Sequence, residues 1–133
     1  MKFMAGNIWS GSKTLAVLTN PTCLAKRKGN LQGDYPIQTD DGKVYPDIEA
    51  AYHELGDRGN HKHDMGYMAG IMTCLMILKF KQYPRILQAV KDSGGEDFLR
   101  KCSHTVNGGR WEGVGVRSEF IKCLVYAYRY MAD

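Results

Sequence analysis

Apolar positions recur along the chain with helical spacing in several places. Over residues 64–79, Met65, Met68, Met72 and Met76 repeat with Ile71, Leu75 and Leu78 on adjoining positions. This pattern is apolar nearly all round, which predicts a central buried helix. A methionine stripe of this kind is adaptable core packing. Phe120, Ile121, Leu124, Val125 and Tyr128 repeat with the same period behind Ser118, whose hydroxyl suits an N-cap. Shorter helices are predicted around Ile86, Leu87 and Val90, starting at Pro84 and closed by Ser93-Gly94-Gly95, and around Phe98, Leu99 and Cys102. Ile48, Ala51, Tyr52 and Leu55 share one face of a helix over 46–55, with Pro46 in the first turn, where its missing N–H costs nothing.

Between the helices the pattern is extended or polar. Residues 3–10 are expected to form an opening strand, followed by the short apolar run Leu15-Ala16-Val17-Leu18 and a turn at Thr19-Asn20-Pro21-Thr22. Lys26-Arg27-Lys28-Gly29-Asn30 is a basic, flexible loop, a solvated connection or a phosphate contact. Tyr35-Pro36-Ile37-Gln38 and Lys43-Val44-Tyr45 flank Asp40-Asp41-Gly42, a tight-turn signature that predicts a hairpin. Residues 56–64 are expected as a polar loop. Residues 103–117 form a glycine-rich loop around Trp111 that lacks the terminal Gly-Lys-Ser/Thr of a phosphate-cradling loop. A long loop of this kind inside a compact domain is more often functional.

Composition narrows this to one domain over 1–133 of α+β class, a compact and mostly helical unit with a small β-hairpin. A chain of 133 residues with 44% hydrophobic and 24% charged side chains can bury a real core. Its formal charge of +4 is compatible with an anionic nucleotide or sugar phosphate, and far from a nucleic-acid-binding tail. Cys23, Cys74, Cys102 and Cys123 are scattered with no C-x-x-C pair, so neither a zinc site nor a disulfide framework is indicated. His61-Lys62-His63-Asp64 lacks the further ligands of a defined metal motif, and no metal or cofactor is expected. The longest apolar stretch, 71–78, is far below the roughly 18 residues of a membrane span. A cytoplasmic protein with no membrane partner is the expectation.

Candidate chemistry centres on Glu49. A carboxylate in a first helical turn sits at the positive end of the helix dipole. His53, four residues on, shares its side of the helix. Six segments in order then resemble one family. Asn7-Ile8-Trp9-Ser10 is similar to an opening Asn-Phe-Tyr-Ser strand, and Leu18-Thr19-Asn20 to a Leu-Ser-Asn turn. Tyr35-Pro36-Ile37, then Asp41-Gly42-Lys43-Val44-Tyr45-Pro46 with Glu49, resemble aromatic-Pro-Ile and Asp-Gly-Lys-x-Trp-Pro-x-x-Glu. Lys79-Phe80-Lys81-Gln82-Tyr83-Pro84 resembles Lys-Phe-x-Gln-x-Pro, and His104 to Trp111 the stretch leading into a Trp-Gly loop. Together they resemble the NADAR, or YbiA-like, family, of which this chain would be a divergent member.

The resemblance implies a compact, largely helical α+β fold and hydrolysis of N-glycosidic bonds in ribosylated or ADP-ribosylated nucleotide-like compounds. It implies a small nucleotide or sugar-phosphate ligand, ADP-ribose-like, with ADP-ribosylated nucleic acid as a further partner. Glu49 would activate water or stabilise the sugar cation, and His53, Asp64 and Asn107 would complete the catalytic set. Trp9, Ser10, Asn20, Lys26, Tyr45, Arg110 and Trp111 would bind substrate, the tryptophans by stacking on a base and the cations, Arg117 among them, at phosphates. The departures are specific. Gly108, beside Asn107, stands where the family has an acidic residue, Asp64 where it has an aromatic, and Glu112 where its loop has glycine. The loss of that second carboxylate motivates an alternative, a catalytically inactive module that binds ADP-ribose or a related nucleotide. The bland alternatives are a packed loop anchor for Trp111, a surface helix residue for His53 and solubility charges for the cations.

Overall fold

The computed structural model describes residues 2–59 and 63–132. Its regular structure is mostly helical with two small antiparallel sheets. A 3-10 turn over Thr14–Leu18 leads to α1 (Thr22–Arg27), β1 (Ile37–Gln38), β2 (Val44–Tyr45), α2 (Ile48–Gly59) and α3 (Met65–Gln82). Then come α4 (Pro84–Asp92), α5 (Glu96–Lys101), β3 (Ser103–His104), β4 (Gly113–Val114), a 3-10 turn over Gly115–Arg117, and α6 (Glu119–Ala132).

The apolar-all-round segment is the central helix. Met68, Met72, Leu75, Met76 and Phe80 of α3 are buried, and α3 packs chiefly on α6, with α2 beside it. From α6, Ile121, Leu124 and Val125 close the same cluster, which continues through Ile8, Leu18, Ile37, Ile48 and Leu99. Full burial of each such side chain contributes about 1.5–3 kcal/mol, and this shared surface dominates the favourable side of folding. Glu96 adds a clasp between α5 and α6, accepting from Arg129 Nε at 2.6 Å and Nη2 at 2.8 Å and from Arg100 at 2.8 Å.

Several expectations are refined. The first hairpin pairs Ile37 with Tyr45 and Gln38 with Val44, with Gly42 at φ +87° supplying the turn. The residues expected as an opening strand contribute a single parallel bridge, Asn7 to Ser103, because Gly6 and Ile8 offer only two ladder bonds to Ser103 before the chain turns at Trp9–Ser12. Lys26 and Arg27 belong to the last turn of α1 rather than to a flexible loop, well placed against the negative end of that helix. The second helix starts at Ile48 behind an Asp47 cap and runs through Gly56, which the sequence suggested as a break. A Cβ at Gly56 would lie 2.5 Å from Met68 Cε, so glycine is where α3 closes on α2. The glycine-rich stretch is bracketed by a second hairpin, Ser103 opposite Val114 and His104 opposite Gly113.

All four cysteines are free thiols, and among the described residues no helix is long and apolar enough to cross a membrane. Gly115 sets the approach of the second hairpin to α5: its φ is +57°, and a Cβ there would meet the Arg100 carbonyl oxygen at 2.7 Å. Gly115→Ala is therefore expected to cost about 2 kcal/mol or more, combining left-handed strain with a backbone clash. Urea unfolding should show the midpoint falling with an unchanged m-value. An unmoved midpoint would mean that the hairpin does not press on the end of α5.

Candidate functional site

The buried turn after the first 3-10 segment explains why a cavity forms. Thr19, Asn20 and Thr22 are almost wholly inaccessible, so their polar groups need internal partners. Lys79 of α3, itself buried, donates from Nζ to the Thr19 carbonyl at 2.9 Å. Asp47 accepts from Cys23 N at 3.1 Å and from Ala50 N at 3.0 Å, joining α1 to the start of α2. The Asn20 carbonyl accepts from Glu49 N at 3.4 Å. The turn is thereby pinned to three helices, and Glu49 begins α2 directly above it.

A cavity of about 740 Å³ opens over this turn. Its floor is buried and largely apolar, formed by Met68, Met72 and Phe120 with Thr19 and Asn20. The Asn20 side chain is the polar exception. Its Nδ2 reaches Met72 Sδ at 3.1 Å and its Oδ1 has no hydrogen-bond partner. One wall is α2: Glu49, Tyr52 and His53, with His53 Nε2 3.7 Å from Glu49 Oε2 and both side chains partly exposed. Burial pushes the Tyr52 hydroxyl pKa up, against the opposing pull of the neighbouring Arg110.

Two tryptophans line the cavity, one of them with a lysine over its ring. Lys28 Nζ donates to Ser10 Oγ at 2.7 Å and stands 5.0 Å above the Trp9 ring. Asn30 Nδ2 donates to the Ser10 carbonyl at 3.0 Å, which keeps the segment after α1 beside Trp9. Opposite, Trp111 meets Tyr52 edge to face at 5.6 Å, next to Arg110. The Trp111 carbonyl accepts from Ser118 Oγ at 2.7 Å and Phe120 N at 3.2 Å, anchoring it to the start of α6.

The loop between β3 and β4 folds around one carboxylate. Glu112 accepts from Val106 N at 2.5 Å, Asn107 N at 3.0 Å, Gly108 N at 3.0 Å and Gly109 N at 3.1 Å. These N–H donors hold its pKa down to about 2. A carboxylate so committed organises the loop and cannot deliver a proton near neutrality.

Of the side chains suggested by the sequence, the cavity brings together Glu49, His53, Asn107, Trp9, Ser10, Asn20, Arg110 and Trp111. Asp64, Lys26, Tyr45 and Arg117 are not among its lining. Asp64 caps α3, accepting from Tyr67 N at 3.1 Å. Lys26 pairs with Asp34 at 2.8 Å on the surface. The buried Tyr45 donates its hydroxyl to Glu54, tying the first hairpin to α2. His61 lies outside the described residues, among which no three His, Cys, Asp or Glu groups could hold a metal ion. Sequence reasoning gave no site role to His104 or Glu112, and placed Lys28 only within a basic run that was a solvated connection or a phosphate contact. Lys28 was hidden in a basic run whose partner Ser10 is 18 residues away, and Glu112 stood out only as a departure from glycine.

Lys79 in the buried network and Glu112 in the loop each make a prediction. Burial is the main reason Lys79 falls to about 7, with Asp47 opposing it. In the unfolded chain lysine keeps its proton to about pH 10.4. Between these values the unfolded state binds more protons, so this residue makes stability rise with pH across the window. Urea denaturation from pH 7 to 10 should show that rise diminished in Lys79→Met; an identical slope would place the titration elsewhere. For Glu112 the slope has the same sign but lies in the acid range. Its contribution is complete above the ordinary glutamate range and is lost as pH falls through about 2. Glu112→Gln should accelerate amide exchange at 106–109 by tenfold or more at neutral pH; unchanged exchange would show those N–H groups to be protected by something else.

Comparison with known proteins adds no assignment: no family model, no curated protein and no solved structure matches this chain.

Proposed function

We propose that the cavity is an active site for cleaving an N-glycosidic bond in a ribosylated or ADP-ribosylated nucleotide-like compound. The observation that carries this reading is Glu49: a carboxylate in the wall of a roughly 740 Å³ cavity that is also lined by Trp9 with Lys28 over its ring and by Arg110 and Trp111. Rupture of the bond leaves positive charge at the anomeric carbon, and a carboxylate facing it stabilises that charge or takes a proton from the attacking water. The tryptophans offer faces for a heterocycle and Lys28 and Arg110 offer charge for phosphates, so the ligand expected is small, anionic and partly aromatic. An ADP-ribosylated nucleic acid is a further partner under the same reading, its ribose entering while the rest stays at the exposed rim.

One observation favours a second reading. The carboxylates among the described lining residues are Glu49 and Glu112, and Glu112 is consumed by four loop N–H groups. A site with a single available carboxylate suits a module that holds ADP-ribose or a related nucleotide without turning it over.

Purified protein incubated with ribosylaminopyrimidine and ADP-ribosylated nucleoside substrates separates the two. Under the hydrolase reading free base is released, and Glu49→Gln lowers kcat by about 10²-fold or more while ligand still raises the melting temperature. Ligand at 100 times its Kd should stabilise the protein by about 2.7 kcal/mol. Stabilisation without base release would support the binding module, and neither effect would remove both readings.

A further inference from the structure

We infer that His104 is the proton donor to the departing base, a role left open when Glu49 serves the attacking water and Glu112 is held by its loop. This rests on the hydrolase reading above and names a residue that neither the composition nor the Glu49 motif singles out.

The geometry begins with the backbone around it. Ser103 and Thr105 are clasped from the same side by Asn7: its Oδ1 accepts from Thr105 N at 2.8 Å and from Ser103 Oγ at 3.1 Å, and its Nδ2 donates to the Thr105 carbonyl at 2.8 Å. Ile8 N donates to the Ser103 carbonyl at 2.8 Å. The strand carrying His104 is thus fixed against residues nearly a hundred positions away in sequence. The ring packs on Phe120 at 4.5 Å, and Nδ1 lies 2.7 Å from the Ile8 carbonyl oxygen.

That last contact determines the tautomer. A carbonyl oxygen only accepts, so Nδ1 carries the hydrogen in both charge states of the ring. Any proton that His104 gains or gives up is therefore the one on Nε2. Among the described residues Nε2 has no hydrogen-bond partner, while the residue lines the cavity that also holds Glu49. The other described histidines, His53 and His63, are less constrained. His53 is largely exposed on α2, with its Nε2 toward Glu49, and His63 is exposed beyond the α3 cap. A general acid acts best when its donor nitrogen is held in one direction, and among the described histidines His104 is the one held from two sides.

The glycosidic C–N bond breaks with its electron pair left on nitrogen, and that nitrogen takes the Nε2 proton. A water oxygen bonds to the anomeric carbon and loses a proton to Glu49. Solvent returns the proton from Glu49 to His104 between turnovers, so the net change is hydrolysis.

His104→Asn tests this directly, because the asparagine Nδ2 can replace Nδ1–H toward the Ile8 carbonyl while nothing replaces Nε2. Two substrates are compared: a neutral ribosylaminopyrimidine, whose nitrogen must be protonated to leave, and an N-ribosylpyridinium, whose base leaves neutral without a proton. The expected result is a loss of about 10²-fold or more on the first and a rate within about threefold of wild type on the second. Added imidazole should restore part of the first activity in His104→Gly. Equal losses on both substrates, or no loss on either, overturn the inference. If His104→Asn folds poorly, His104→Gln is judged by the ratio of the two rates, which does not depend on the folded fraction. Where wild type accepts only the neutral substrate, absence of imidazole rescue overturns it. A wild-type protein that cleaves neither substrate removes the hydrolase reading and this role with it, whereas cleavage indifferent to His104 removes the role alone.

Discussion

A turn of backbone buried beneath three helices is the constraint on which this structure depends. Thr19, Asn20 and Thr22 lie where water does not reach, so the polar groups around them must be matched from within the chain. Lys79 answers the Thr19 carbonyl, Asp47 answers α1 and the first turn of α2, and the Asn20 carbonyl takes the Glu49 amide. Removing any one partner would strand another in low dielectric, which makes the arrangement collective. Glu49 owes its position to this network as much as to its own helix.

The same turn explains what is unfinished in the cavity. The Asn20 backbone carbonyl is matched, but its side-chain oxygen is not, and its amide nitrogen meets only a methionine sulfur. A buried, unsatisfied acceptor next to an apolar floor is costly for folding alone. A ligand N–H or O–H would offset that cost, which is consistent with a site whose full hydrogen bonding includes its ligand. The rim differs in kind: Lys28, Ser10 and Trp9 already engage one another, and Glu112 has already closed its loop. The floor keeps an unmatched acceptor while the rim is already knitted together.

Glu112 and His104 show how a second hairpin can divide labour. The loop N–H groups converge on a carboxylate that is thereby kept charged, and the strand at its base carries an imidazole whose tautomer a backbone carbonyl dictates. The acid thus becomes architecture, and the imidazole at the base of the hairpin faces a carbonyl instead of a ring of N–H groups. Both outcomes follow from which hydrogen-bond partner each side chain meets.

Local pattern was enough to determine a good deal. The period of Met68, Met72, Leu75 and Met76 marked α3 as central, Ser118 marked the start of α6, and Asp41-Gly42 marked the first hairpin, because helix burial, capping and turn chemistry act over a few residues. The same short range placed Glu49 in a first turn with His53 on its side. Tertiary structure alone decided that Gly56 continues α2, since the reason is the approach of Met68, and that Lys28 belongs with Ser10 and Trp9. It also placed Asp64, Lys26 and Tyr45 in caps and pairs away from the cavity lining, and His104 in it. These outcomes turn on partners from 3 to 96 positions apart, and sequence proximity carries no information about which of several polar neighbours a folded chain will bring within 3 Å.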